Sequence, residues 1–191
     1  MAQNRSIISP LRIDAVPVPG TGGSIGMTIC PGKDENAGFR YGDGQWKRDL
    51  DLDLTVIRDW GARAVVTLLE PFEFELLTVT ELPEKVRQYG IRWFHLPIVD
   101  VRIPDALFEE HWESAGEELR QILREGGRIV LHCRGGLGRT GLVAARLLVE
   151  FGMEPRDAIR RVRAARPGAI QTREQEEYVR RYTKRIVKTI S

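Results

Sequence analysis

The stretch HCRGGLGRTG, residues 132–141, carries two different anion-binding patterns at once. Glycines at 136, 138 and 141 form a Gly-x-Gly-x-x-Gly, while Cys133 is separated from Arg139 by five residues. Both patterns place an anion at a helix N-terminus that follows a strand, where unpaired backbone N–H groups and the helix dipole favour negative charge. A dinucleotide site needs a further strand soon after the helix and an acidic residue about 20 positions on to hold the ribose. Here the next segment is the basic EPRDAIRRVRAAR, Asp157 falls inside it, and the unit stands late in the chain rather than near its start. A nucleotide-triphosphatase loop needs Gly-Lys-Ser/Thr, which the stretch does not contain.

The cysteine pattern uses every polar residue of the stretch. Cys133 ends a short apolar strand, RIVLH. The backbone from Arg134 through Gly135, Gly136, Leu137 and Gly138 to Arg139 can then wrap into a nest of N–H donors, and Arg139 can fork onto two oxygens of a phosphate. A thiol at a helix N-terminus beside cationic groups ionises readily, and the thiolate is the form that attacks.

Working outward, LVAARLLVEF is apolar almost all round, which predicts a central buried helix closed by Gly152. Pro155 opens a basic helix that Pro167 and Gly168 end. Thr172 and Gln175 form a Thr-x-x-Gln capping box, starting a last helix towards Ile190 on Val179, Tyr182 and Ile186. Upstream, RAVVTLL reads as a buried parallel strand, followed by a helix-like stretch through Val86 and a second strand, IRWFHLPI. From Asp105, Phe108, Trp112, Ala115, Leu119 and Ile122 repeat at helical spacing until Gly126 and Gly127.

In WKRDLDLDLTVIRDWG, Trp46, Leu50, Leu54 and Ile57 mark one helical face ending at Gly61. Its aspartates imitate the start of a calcium loop, but Leu54 stands where that loop needs Gly and Trp60 where it needs Glu. Between Pro10 and Gly44 the chain is rich in Gly and Pro, with strands predicted in LRIDAVPV and SIGMTIC. The alternation predicts an α/β fold, a single central sheet flanked by helices. One domain over residues 1–191 is expected, with 1–44 packed on it as loop-rich strands.

The net charge of +2 is nearly balanced, and only five of the 29 basic residues are lysines, which favours discrete arginine contacts with anions over a nucleic-acid-wide field. The opening MAQNRSIISPLR lacks the pattern of an export signal and no run of about 18 apolar residues occurs, so a cytoplasmic location without stable membrane association is expected. Cys30 and Cys133 make no disulfide framework. A redox pair between them is the alternative, but a strand end explains Cys30. His95 and His111 lack metal-ligand spacing, and the arginines from Arg156 to Arg166 read as a solvated helix face.

HCRGGLGRTG resembles the His-Cys-x5-Arg-Ser/Thr-Gly signature of the cysteine-dependent protein tyrosine and dual-specificity phosphatases, in the strand–loop–helix context that family uses. GAIQTREQEEYV is similar to the glutamine loop of its tyrosine-specific members, and LPIVDVRIPD to the loop that supplies its general acid. With LRIDAVPV and GMTICPGK, the likeness is strongest to the kinase-associated group and spans about residues 6 to 188.

That resemblance implies roles. Cys133 would attack phosphorus, Arg139 would hold the phosphate and its transition state, Thr140 would help the thiolate leave, and His132 would support the loop without touching substrate. The residues from Arg134 to Arg139 would bind phosphate. Asp100 is favoured as the acid because Asp105, after Pro104, has a sufficient purpose as a helix N-cap. Gln171 is favoured for orienting water because Gln175 is explained by the capping box. No metal or other cofactor is expected, and the partner is a phosphorylated protein, with a kinase as one candidate, met by a monomer. Phosphotyrosine would be the main substrate, with phosphoserine or phosphothreonine as further ones. Phosphoinositide hydrolysis, sulfur transfer and a catalytically weak phosphopeptide-binding module stand as alternatives. Related lipid phosphatases usually add lysines within the loop, where only Arg134 is extra; sulfur transfer would leave Asp100 and Gln171 without a purpose; and binding modules commonly lose the cysteine, the arginine or the acid, all three of which are present.

Overall fold

The computed structural model describes residues 5–34 and 47–182. In chain order it contains helix α1 (Arg5–Ile8), strands β1 (Asp14–Pro17) and β2 (Ser24–Thr28), helix α2 (Leu50–Asp59), strand β3 (Ala62–Thr67), helices α3 (Pro71–Leu76) and α4 (Leu82–Gln88) and strand β4 (Arg92–His95). Helix α5 (Ala106–Arg124), strand β5 (Arg128–His132) and helices α6 (Gly138–Glu150), α7 (Pro155–Ala165) and α8 (Arg173–Arg181) follow. The strands form one sheet in the order β1-β2-β5-β3-β4, with β1 antiparallel to β2 and the remaining pairs parallel. β5 is therefore central, and Cys133 emerges at its carboxyl end, the edge where open α/β sheets bind ligands.

Successive strand side chains point to opposite faces, and the sheet uses both. Ala64, Val66, Ile129 and Leu131 join the core beneath α5, α6, α7 and α8, while Val65 and Val130 face Leu54 and Ile57 of α2 and Leu82 and Val86 of α4. Such double burial is why RAVVTLL and RIVLH read as continuous apolar runs without alternation. Helix α6, buried along nearly its whole length, lies on the first of these faces.

Three expectations need correction. The stretch through Val86 is two helices rather than one: Pro71 and Pro83 each occupy a first turn, and Thr78 between them adopts a left-handed conformation with φ of 56°. α8 ends at Arg181, where Tyr182 turns extended with ψ of 100°, so Tyr182 is its C-cap. The expected continuation over Ile186 and Ile190, like Trp46 at the other helix, lies outside the described residues. Finally, only part of α7's basic face is solvated. Arg156, Arg160 and Arg161 are exposed, but Arg163 donates to the carbonyls of Ala169 and Ile170, and Arg166 turns inward. The aspartates that imitated a calcium loop have other work. Asp49 caps α2, and buried Asp53 pairs with Arg48 at 2.7 and 2.8 Å.

Candidate active site

The 132–141 loop is shaped first by its glycines. Gly136 has φ of +66°, and a Cβ there would lie 2.1 Å from the carbonyl oxygen of Thr28, so no other residue fits. Its N–H donates to Cys133 Sγ at 3.2 Å. From outside, Arg166 holds the loop's carbonyls, donating from Nε to Gly136 O at 2.5 Å and from Nη2 to Gly135 O at 3.2 Å, and it is itself anchored to Asp14 of β1 at 2.6 Å. Drawing these carbonyls outward favours the inward orientation of the neighbouring N–H groups. Arg134 is partly exposed, with its carbonyl accepting from Cys30 N–H, and Leu137 forms the N-cap of α6.

Cys133 and Cys30 are both buried free thiols, and Cys30 Sγ faces the carbonyl of Pro31 at 3.6 Å. Burial raises the Cys30 pKa well above the ordinary thiol value. His132 is fully buried and its Nε2 lies 2.8 Å from Thr67 Oγ1, which also accepts from Trp93 Nε1. Burial lowers its pKa to about 3; the nearby backbone of Cys133 opposes this, and the charges of Arg139 and His95 add to it. The ring is therefore neutral at physiological pH.

Arg139, in the first turn of α6, is almost wholly buried. Its end-on face is filled by Glu73, at 2.5 Å from Nη1 and 3.0 Å from Nη2. Nη1 also donates to the carbonyls of Leu68 and Ile98. Burial works against the charge, yet the Glu73 hydrogen bonds, reinforced by Cys133, Glu73 and Asp100, hold the guanidinium pKa above its usual value. The side edge, Nε and Nη2, is different. Nε has no partner, and Nη2 meets Asp100 Oδ1 at 3.1 Å.

Asp100 stands on the loop between β4 and α5, more than half exposed, with its backbone N–H bonded to Glu70. Asp105 accepts the N–H of Phe108 at 2.8 Å as the N-cap of α5, the role its position implied. The glutamines also differ. Exposed Gln171 accepts the N–H of Gly138 at 3.0 Å, at the start of α6. Buried Gln175 completes the capping box with Thr172 and donates to Arg102 O, which ties the Asp100 loop to the glutamine loop.

The structure thus brings Cys133, Arg139, Asp100, Thr140 and Gln171 to one end of the sheet and leaves Asp105 as a cap. Sequence reasoning missed Glu73 and Arg166. Glu73 did carry a local signal, since Glu70-Pro71-x-Glu73 makes a capping box opening α3, but nothing local tied it to Arg139. His95 lies on β4 stacked against Trp93, and His111 is exposed on α5.

Residues 50–179 match the family model described as the PTP-SAK, Swiss Army Knife protein, DSP-PTPase phosphatase domain. Cyclin-dependent kinase inhibitor 3 of Rattus norvegicus is 30% identical over 186 residues, covering 96% of this chain and 84% of its own. The structure of kinase-associated phosphatase with its catalytic-site cysteine replaced by serine superposes with a TM-score of 0.77 at 27% identity, covering 90% of this chain and 93% of that one. The active form of Tk-PTP superposes at 0.60 with 28% identity, covering 86% and 92%. With this fold and these relatives, the chain belongs to the DSP-PTPase phosphatase domain family and is a protein tyrosine/dual-specificity phosphatase.

Proposed function

We propose that the chain, as one catalytic domain over 1–191, hydrolyses phosphotyrosine, and phosphoserine or phosphothreonine with it, through a cysteinyl-phosphate formed on Cys133. One observation carries this reading. Among the described residues, the buried side-chain polar atoms without a hydrogen-bond partner are His132 Nδ1, Arg139 Nε and Thr140 Oγ1, all in the 132–141 loop. Buried polar atoms are ordinarily paired, so a cluster of exceptions asks for a reason. A phosphate facing the Nε–Nη2 edge of Arg139 supplies one for Nε, and the departing thiolate supplies one for Thr140 Oγ1.

A phosphate on that edge takes Nη2 from Asp100, whose carboxyl, in the protonated form that then enters the reaction, gives its proton to the leaving oxygen. Cys133 Sγ attacks phosphorus as the bond to the ester oxygen breaks, forming an S–P bond, with Arg139 and the loop N–H groups stabilising the transferring phosphoryl group. Gln171, beside the loop, orients a water that Asp100 deprotonates. Attack of that water on phosphorus breaks the S–P bond, and the Thr140 hydroxyl donates a hydrogen bond to the departing thiolate. His132 supports the loop as a neutral ring.

The expected location is the cytoplasm, where a reducing milieu keeps Cys133 a thiol; no helix among the described residues is long and apolar enough to cross a membrane. The resemblance to kinase-associated phosphatase makes a phosphorylated kinase a candidate substrate, met by a monomer. Hydrolysis of a small aryl phosphate in the presence of chelator, by the natural chain and by Cys133→Ser, tests the chemistry. Turnover is expected with the first and a loss of about 10⁴-fold or more with the second; activity surviving in Cys133→Ser would remove the mechanism.

A further inference from the structure

Of the seven large apolar side chains exposed among the described residues, five lie on the two segments that hold acidic partners against Arg139. Phe72 and Leu76 stand on α3 with Glu73. Val99 and Val101 flank Asp100, and Leu107 follows in the first turn of α5. Phe72, Val99, Val101 and Leu107 are each between 51% and 60% exposed. The segments are joined at the site, since Glu70 binds the Asp100 backbone and Glu73 and Asp100 share Nη2 of Arg139.

Val101 adds a second, independent observation. It occupies the third position of a turn closed by Arg102 N–H to Val99 O at 3.0 Å, with φ of +56°. A β-branched residue is a marked outlier there, and such a conformation typically costs about 1–3 kcal/mol. Glycine or asparagine would suit the turn better. Val101 gains little burial in return, so the fold alone does not account for an apolar side chain at this position.

We propose that these side chains form an apolar rim around the catalytic mouth that selects phosphoprotein segments with large apolar residues immediately beside the phosphorylated one. The inference rests on the phosphatase reading above and adds to it a class of sequence. The occupant is the substrate because Phe72 adjoins Glu73 and Val99 and Val101 flank Asp100, the two residues that meet Arg139: docking an apolar flank beside Asp100 brings the phosphate to Arg139, and closing over it removes apolar area from water.

The test compares kcat/KM for matched phosphotyrosine peptides carrying leucine or phenylalanine, serine, or glutamate on either side of the phosphorylated residue. The natural chain is expected to favour the apolar set by about tenfold or more. Phe72→Ser should cut that preference to about threefold or less while leaving a small aryl phosphate, which has no flanks, within about twofold. Val101→Asn should also weaken the preference, yet raise the melting temperature, because asparagine tolerates the left-handed turn. Equal rates on all peptides, a preference for acidic flanks, or a lower melting temperature for Val101→Asn would overturn the inference. So would a Phe72→Ser variant that changes oligomeric state and leaves peptide preference intact. A natural chain inactive on every phosphopeptide and on the aryl phosphate would instead remove the phosphatase reading beneath it.

Discussion

Arg139 and Arg146 lie two turns apart on α6, both buried and both gripped by a glutamate, yet they do different things. Glu109 holds Arg146 at 2.7 and 2.8 Å, much as Glu73 holds Arg139. In both cases burial opposes the charge, and the carboxylate partners outweigh it, raising the guanidinium pKa. The remaining donors differ. Arg146 Nε binds Glu150 at 3.0 Å, Nη1 also reaches Tyr178, and the guanidinium is stacked 4.6 Å from the rings of Trp112 and Tyr182. Every side of it is engaged, so it ties α5, α6 and α8 together. Arg139 keeps one edge of its fork unfilled at Nε and shared at Nη2 with an exposed aspartate. A groove of about 1260 Å³ lies over Arg146, not Arg139. In the proposed mechanism, unpaired donors rather than cavity size mark the reacting end of this helix.

Charge-preserving and charge-removing variants should separate the two arginines. Arg139→Lys keeps a cation but loses the planar fork, so kcat should fall by about 10³-fold or more with the fold retained. A lysine variant with near-natural turnover would show that the free edge is not where phosphate binds. Arg146→Met should do the reverse: urea unfolding should show a loss of about 3 kcal/mol, because the hydrogen bonds of Arg146 to Glu109, Glu150 and Tyr178 and its stacking on Trp112 and Tyr182 are lost together, while kcat/KM on an aryl phosphate changes less than about threefold. Deep loss of turnover in a folded Arg146→Met chain would contradict the division.

The aspartates give a smaller contrast. Asp100→Asn should lower kcat by about 10²-fold and flatten the high-pH limb of its profile, at little effect on stability. Asp105→Ala should cost about 1 kcal/mol through the lost N-cap and keep the profile. Exchange of these two phenotypes would transfer the acid to Asp105. A pH effect on folding completes the contrast. The His132 pKa is about 3 when folded against an ordinary 6.5, so the unfolded chain binds more protons between those values. Stability should be undiminished above pH 6.5 and fall by roughly 1 kcal/mol per pH unit as the pH drops towards 3. A His132→Asn variant should lack that portion of the slope, as read by urea titrations across the range.

What could be read from the chain follows the distance over which its causes act. The strands and helices around HCRGGLGRTG rest on period and on local stops such as Gly152 and Pro155, and these survive in the structure. Asp105 as a cap and Thr172 with Gln175 as a capping box are equally local. Glu73 was missed because its partner is 66 residues away and its own neighbourhood only announces a helix start. Arg166 was read as solvated because periodicity sees a helix face and not the loop folded against it. The split of the stretch through Val86 was legible in Pro71 and Pro83, whereas the left-handed turn at Thr78 was not, since threonine has no preference for it.

The covalent intermediate offers the most direct test of the whole account. Gln171→Ala should slow the attack of water more than the attack of the thiolate, so acid quenching during turnover of a phosphotyrosine peptide should trap the intermediate. Peptide mapping by mass spectrometry should then find one phosphoryl group on the peptide containing Cys133, increasing with enzyme concentration and missing from Cys133→Ser. A phosphoryl group on another side chain, or sustained turnover by Cys133→Ser, would contradict the central claim that this loop carries the reaction through its cysteine.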